Sequence, residues 1–354
     1  MVTSAKCLIV GSTKAYSGKS ATVLGIAFQA QKAGLTLAYG KPLSSETGSA
    51  MSDEDSRCIA ETLGIVSQPT LLSLNPQTIQ KRMLGDDSQD YPAQLQRYRT
   101  DSDLVILEGP GTLREGTLFD LAVEQMAQVL DAQVLLVTRY EAISLVDSVL
   151  VAKAQLGDRL CGVVINDVPA DDIDSVKAAI CPFLAAKGIP VYGVLPHSEI
   201  LMSVSVRELV HQLKAEVLCR SDRLNLMVET LKIGAMNVNS ALKYFRKARH
   251  MAVVTGGDRT DLQLAALETS THCLILTGHI APTQEVLNRA EDLEVPILTV
   301  DLDTLTTVEI IEKTFGHVNL HDAIKVQYIR EMTADELDVA RLLEHLGLST
   351  AAAV

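Results

Sequence analysis

The sequence predicts an α/β protein, with a parallel β-sheet flanked by helices in its first part and a second, smaller α/β domain after it. Three observations carry that expectation. Short runs dense in Val, Leu and Ile, without polar alternation, recur between stretches of helical periodicity, and strands of that kind are buried on both faces of a parallel sheet. The alternation lapses after residue 213 and restarts near residue 240. The chain has 354 residues, 47% of them hydrophobic, which exceeds one ordinary core and supplies apolar material for two.

In chain order, "AKCLIVGS" (5–12) is an unbroken apolar run and reads as a buried strand. "SATVLGIAFQAQKAG" (20–34) has helical spacing and is closed by Gly34, and "LTLAYGKP" (35–42) is a strand stopped by Pro42. Further strands are expected at "DLVILEG" (103–109), "AQVLLVT" (132–138), "LCGVVIN" (160–166) and "PVYGVLP" (190–196). After "SVRELVHQLKAEVLCR" (205–220) come three more strands, "HMAVVTGG" (250–257), "HCLILTGH" (272–279) and "VPILTVD" (295–301), with helices at 240–249, 261–270 and 283–293. The tail holds a helix, "TADELDVARLLEHLGL" (333–348), opened by a Thr-x-x-Glu capping box at Thr333 and Glu336 and fraying into "STAAAV". These elements divide the chain into 1–214, 215–320 and a helical tail, 321–354, with the boundary carried by 213–238.

The formal charge of -13 argues against nucleic acid or an anionic membrane surface as the main partner, since both call for an excess of Lys and Arg. The six cysteines form no C-x-x-C pair and no metal-ligand spacing, which fits reduced thiols of an intracellular protein. No apolar run reaches the ~18 residues of a membrane span, and no export pattern follows Met1, so a soluble cytoplasmic chain is expected. None of the eight histidines pairs with Asp, Glu or Cys at a recognisable catalytic or metal spacing.

The chemistry centres on "STKAYSGKS" (12–20), which ends in Gly-Lys-Ser like a Walker A loop but has Thr13 where the pattern has Gly. It sits between an expected buried strand and an expected helix, where backbone amides and a helix N-terminus converge on phosphate. Thr13, Lys14, Ser17, Gly18, Lys19, Ser20 and Ala21 would line a nucleotide, with Lys19 on the β and γ phosphates and the Ser20 hydroxyl on Mg²⁺. The bland alternative is a Gly-containing strand–helix turn with a chance Lys. Glu108 ends a buried strand, where ligands gather in open parallel sheets, and could hold a Mg²⁺ shell. Asp53 and Asp55 precede a helix, where a metal role and a simple match to the helix dipole are both open. Asn166 and Asp167 end another strand; the Asn amide could read an adenine edge or only make a turn.

The position of Lys14 in the loop resembles the deviant Walker A family, in which that Lys reaches a partner subunit's nucleotide; an exposed loop Lys is the alternative. The ordered array "TKAYSGKS", "YGKPLSS", "DEDSRCIAETLG", "LEGPG", "INDVP" and "YGVLPHSEILMSVSVREL" resembles the dethiobiotin synthetase fold, in the form found at the N-terminus of long phosphotransacetylases. In that fold ATP phosphorylates a carboxylate or carbamate, and the mixed anhydride is closed by an internal amine. The resemblance implies that Ser20, Asp55 and Glu108 bind the metal, that Lys41 sits over the transferred phosphoryl group, and that Asn166 faces adenine. Lys19, Lys41 and Glu108 would then be the catalytic set. The substrate loop departs from the family's, reading "EGPGTLREG" with Pro110, Arg114 and Glu115.

"VVTGGDRTDLQLAALETSTHCLILTGHIAP" resembles the DRTGG domain, with Gly256, Gly257, Asp258, Arg259 and Thr260 as its signature. Two glycines after a strand, then Asp at a helix start, make an amide-rich turn that caps itself or holds an anion. A second turn, "LTGHIAP" (276–282), could complete one face of a pocket. Such domains are usually regulatory and often pair across a dimer. In long phosphotransacetylases an acyltransferase domain follows, and the residues after 320 are too few for one, so the chain is expected to act as a regulatory front end and not itself as a phosphate acetyltransferase. The leading expectation is a MgATP-responsive regulatory or adaptor protein, homodimeric or a higher homo-oligomer, with an unidentified protein partner. An ATP-dependent synthetase or ligase on a small carboxylate and a pseudo-NTPase scaffold are the alternatives.

Overall fold

The computed structural model describes residues 5–44, 51–315 and 322–348. It divides into two compact units, Met1–His197 with Ala323–Val354, and Ser198–Asp322.

In the first unit, β1 (Lys6–Ser12), β2 (Leu37–Gly40), β3 (Ser67–Gln68), β4 (Leu104–Glu108), β5 (Gln133–Arg139), β6 (Leu160–Val168) and β7 (Val191–Pro196) form one seven-stranded sheet. The order is β3-β2-β4-β1-β5-β6-β7, and every neighbouring pair is parallel. Strand β1 lies in the middle and is covered on both faces, which is why Leu8, Ile9 and Val10 are all apolar and fully buried. Helix α1 (Lys19–Lys32) follows the loop after β1, and α2 (Met51–Leu63) follows β2. The central position of β1 therefore puts the Gly-Lys-Ser loop at the carboxyl edge of the sheet, beside the ends of β4 and β5.

The second unit holds a five-stranded sheet of β8 (Glu216–Cys219), β9 (Thr230–Gly234), β10 (Met251–Gly256), β11 (Thr271–Thr277) and β12 (Ile297–Val300), in the order β8-β12-β11-β10-β9. Only β8 runs antiparallel to its neighbour. Strands β8 and β9 fall in the segment that sequence patterning reads as a boundary. The units divide earlier than residue 214, because Val204–Ser205 pairs with Met227–Val228 and helix α3 (Val206–Leu213) buries Val206, Leu209 and Leu213 among Val254, Ile275 and Leu298.

The tail belongs to the first unit, and its helices differ from the single one expected over 333–348. Helix α4 (Ala323–Glu336) already contains Thr333, so the Thr333–Glu336 capping box does not form; the Thr333 hydroxyl turns back to donate to the Ile329 carbonyl at 2.6 Å. The chain breaks at Leu337, and Asp338 caps a further helix, α5 (Val339–His345), accepting from the Arg341 N–H at 3.1 Å. Helix α4 lies against α1 so closely that a Cβ on Gly25 would stand 2.4 Å from Thr333 Cγ2, and the Gln29 amide donates to the Thr333 carbonyl at 2.6 Å.

Candidate functional site

The loop between β1 and α1 is built on two left-handed residues, Tyr16 (φ 56°) and Gly18 (φ 91°), which turn the backbone into a cup at the helix N-terminus. Gly18 is required by space as well: a Cβ there would come 2.1 Å from Asn166 Nδ2. The Asn166 amide donates to the Ser17 carbonyl at 3.0 Å, so the residue expected at adenine braces the loop in this structure. Ser17 is buried, and its hydroxyl donates to the Lys14 carbonyl at 2.7 Å. Ala21 is buried in the first turn of α1, and Thr13 is half-buried in the loop.

Lys19 is the first residue of α1 and only 8% exposed; its ammonium donates to Ser12 Oγ at 2.9 Å. Ser12 Oγ also lies 2.8 Å from the Lys14 carbonyl and 3.0 Å from the Gly111 carbonyl, tying the loop to the "EGPGT" turn. Sequence reading passed over Ser12 as the end of a strand.

Ser20 Oγ donates to Glu108 Oε1 at 3.0 Å, across 88 residues of sequence. The Lys41 ammonium stands 3.8 Å from the same oxygen, with both side chains nearly buried, and the Tyr39 hydroxyl donates to Oε2 at 3.2 Å. Glu108 is thus held at both oxygens, and the structure brings Lys19, Ser20, Lys41 and Glu108 to one edge of the sheet. Tyr39 was not singled out by motif, and its bond to Glu108 spans 69 residues of sequence. Asp53 and Asp55 belong to α2, and their side chains lie outside the described residues.

Two other expected residues are engaged within the chain. Exposed Lys14 is paired with Glu141, whose carboxyl is held below its ordinary value by the Lys14 and Ser144 hydrogen bonds. Asp167 (φ 62°) is paired with Arg139 and His197.

In the second unit the Gly256–Thr260 turn is knitted internally. The helix Thr260–Leu267 has Arg259 at its N-cap with no side-chain cap bond. Arg259 instead bonds both oxygens of Asp261, at 3.1 and 3.2 Å, and the Met236 carbonyl at 3.1 Å. A Cβ on Gly257 would approach the Ile280 carbonyl to 2.3 Å, so the two glycine turns do abut. The side chain that sequence reading missed is Gln263: fully buried, it donates to the Gly256 and Gly257 carbonyls, each at 3.0 Å, while its Oε1 has no hydrogen-bond partner. Replacing it, Gln263→Met, leaves two carbonyls without that donor and is expected to lower stability by about 1–3 kcal/mol, read by urea unfolding of the full chain; an unchanged midpoint would show that the bridge contributes nothing.

Among the described residues no group of three His, Cys, Asp or Glu is gathered as a metal cluster, and no helix is long and apolar enough to cross a membrane. The oxygen donors of Ser20 and Glu108 are nonetheless hard ligands of the kind Mg²⁺ takes, one hydroxyl and one carboxylate beside an expected phosphate position.

A parallel sheet with a Gly-Lys-Ser loop entering a central helix defines a P-loop α/β domain. Residues 6–205 match the family described as an AAA domain, and residues 208–314 match the DRTGG domain. The first match covers more than half of the chain, and the protein belongs to this P-loop family, with a DRTGG domain following. Similar proteins include the phosphate acetyltransferase of Synechocystis sp., 24% identical over 361 residues (96% of this chain, 51% of the relative). That of Pseudomonas putida is 25% identical over 355 residues (93% and 50%). The chain spans about half the length of the curated relatives it matches. Among solved structures, the CBS and DRTGG domains of the regulatory region of Clostridium perfringens pyrophosphatase, in complex with diadenosine tetraphosphate, align over 41% of this chain and 71% of that one, at 19% identity and a TM-score of 0.29.

Proposed function

We propose that the protein is a nucleotide-responsive regulator: the P-loop unit binds MgATP, and the DRTGG unit senses a second ligand or holds a homodimer, the two together acting on a partner protein. The observation that supports this most is the convergence of Lys19, Ser20 and Glu108 at the start of α1. Lys19 would leave Ser12 for the β and γ phosphates, and the α1 N-terminus would face the same anion. Ser20 and Glu108, with Asp55 as a further candidate, would hold Mg²⁺, whose charge offsets that of the phosphates. Lys41 neutralises Glu108 before the nucleotide arrives. The half shared with relatives named phosphate acetyltransferase is read as a regulatory half, with acetyl transfer belonging to the rest of those proteins.

A second reading, an ATP-dependent synthetase acting on a small carboxylate, is favoured by one feature. Lys41 is almost buried beside Glu108, where the family resemblance implies a transferred phosphoryl group. Phosphate release under saturating MgATP separates the two. A regulator is expected to turn over more slowly than about one per minute, far below the ~10 per second median of enzymes, with small carboxylates making no difference. Stimulation by such a carboxylate would favour the synthetase.

A further inference from the structure

Two imidazoles stand side by side at the amino-terminal edge of the second sheet, the edge opposite the DRTGG turn. His250 immediately precedes β10, and His272 is the second residue of β11. Their ring centroids are 4.4 Å apart with the planes 25° from parallel. The register between the strands shifts there, pairing Met251 with Thr271 and Ala252 with Cys273, so His272 is the extra residue of a bulge. Bulges re-aim side chains.

The backbone of His250 is fixed at both ends in a left-handed conformation (φ 46°): its N–H donates to Ser270 Oγ at 3.1 Å, and its carbonyl accepts from the Glu229 N–H at 2.8 Å. Each Nδ1 also has an acceptor, Glu229 Oε1 at 2.8 Å for His250 and the Met227 carbonyl at 2.6 Å for His272. A carbonyl or carboxylate can only accept, so each neutral ring carries its proton on Nδ1 and presents a lone pair on Nε2. Neither Nε2 has a partner among the described residues. Carboxylate or carbonyl on one ring nitrogen, with the other left open, is the outer-shell arrangement that orients metal-binding histidines.

We propose that His250 and His272 form a two-imidazole site for a divalent transition-metal ion of the Zn²⁺ or Ni²⁺ class. Such an ion binds imidazole nitrogen at roughly 2.0–2.1 Å, and here it would bind at the open Nε2 edges of two rings whose centroids are 4.4 Å apart. Water, or a group from another molecule, completes the coordination. Burial lowers the His272 pKa, with Met227, His250, Glu229 and Arg223 as its other influences. The Arg223 charge, which opposes a cation, is countered by Glu294 at 3.0 Å, and the Glu229 carboxylate favours one.

The test is calorimetric titration of the tag-free, chelator-stripped full chain with ZnCl₂. The wild-type chain is expected to bind one more Zn²⁺ than His250→Gln or His272→Gln. Glu229→Gln keeps both rings and is expected to weaken that site about 10–100-fold. Melting in chelator reports whether each variant folds. His250 is 45% exposed, so His250→Gln decides the matter if His272→Gln does not fold. Equal stoichiometry and affinity in the wild type and the folded variants would overturn the proposal.

Discussion

A chain ended after Asp322 is expected to lose cooperative folding of its P-loop unit, seen as a melting temperature lowered by well over ten degrees or as aggregation. The segment from Ala323 to Leu346 buries Ile329, Met332, Leu337, Val339, Leu342, Leu343 and Leu346. At about 1.5–3 kcal/mol for each large apolar side chain, their removal forfeits on the order of 10 kcal/mol, comparable with the whole stability of a domain. Polar ties go as well: Asp338 N–H to the Tyr192 carbonyl at 2.7 Å, Tyr192 Oη to His345 Nδ1 at 2.7 Å, and Lys177 to Glu336 at 3.0 Å. Because α4 lies on α1, whose first residues are Lys19 and Ser20, nucleotide affinity is expected to fall with stability. A truncated chain that melts like the full one would show that the tail is an appendage.

Lys19→Ala is expected to weaken MgATP binding at least about 100-fold while leaving the melting temperature almost unchanged. Hydrogen bonds to charged groups are worth about 1.5–3 kcal/mol each, and a Lys bridging two phosphates makes more than one. The fold should survive because Ser12 Oγ, the partner of the lost ammonium, keeps the Lys14 and Gly111 carbonyls within reach. Calorimetry of the variant beside the wild type reads both quantities. Unchanged affinity would remove Lys19 from the phosphate site.

Strands such as "CLIVG" and "LVILE" were legible because burial on both faces leaves an unbroken apolar run. Edge strands lack that signature. "TLKIG" carries Thr230 and Lys232 on an open edge, and "EVLC" is short and partly exposed, so the pattern dissolves where the second unit begins. Thr333 misled for a different reason: the capping spacing is present, but α4 starts ten residues earlier, at Ala323, in a stretch of Lys, Gln and Arg that shows little apolar periodicity. The Gly-Lys-Ser loop was legible as local spacing. Tyr39 and Glu108 are 69 residues apart, and Gln263 acts on carbonyls that no motif names, so both roles appear only once the chain is folded.

The most direct test of nucleotide responsiveness is calorimetric titration of the nucleotide-stripped protein with ATP in the presence of Mg²⁺. Saturable binding of one ATP per chain, weakened when Mg²⁺ is withheld, is the expected result. Absence of binding heat, with ATP leaving the melting temperature unmoved, would mean that the loop at Ser12–Ser20 is a relic of a phosphate cradle and that the function resides elsewhere in the chain.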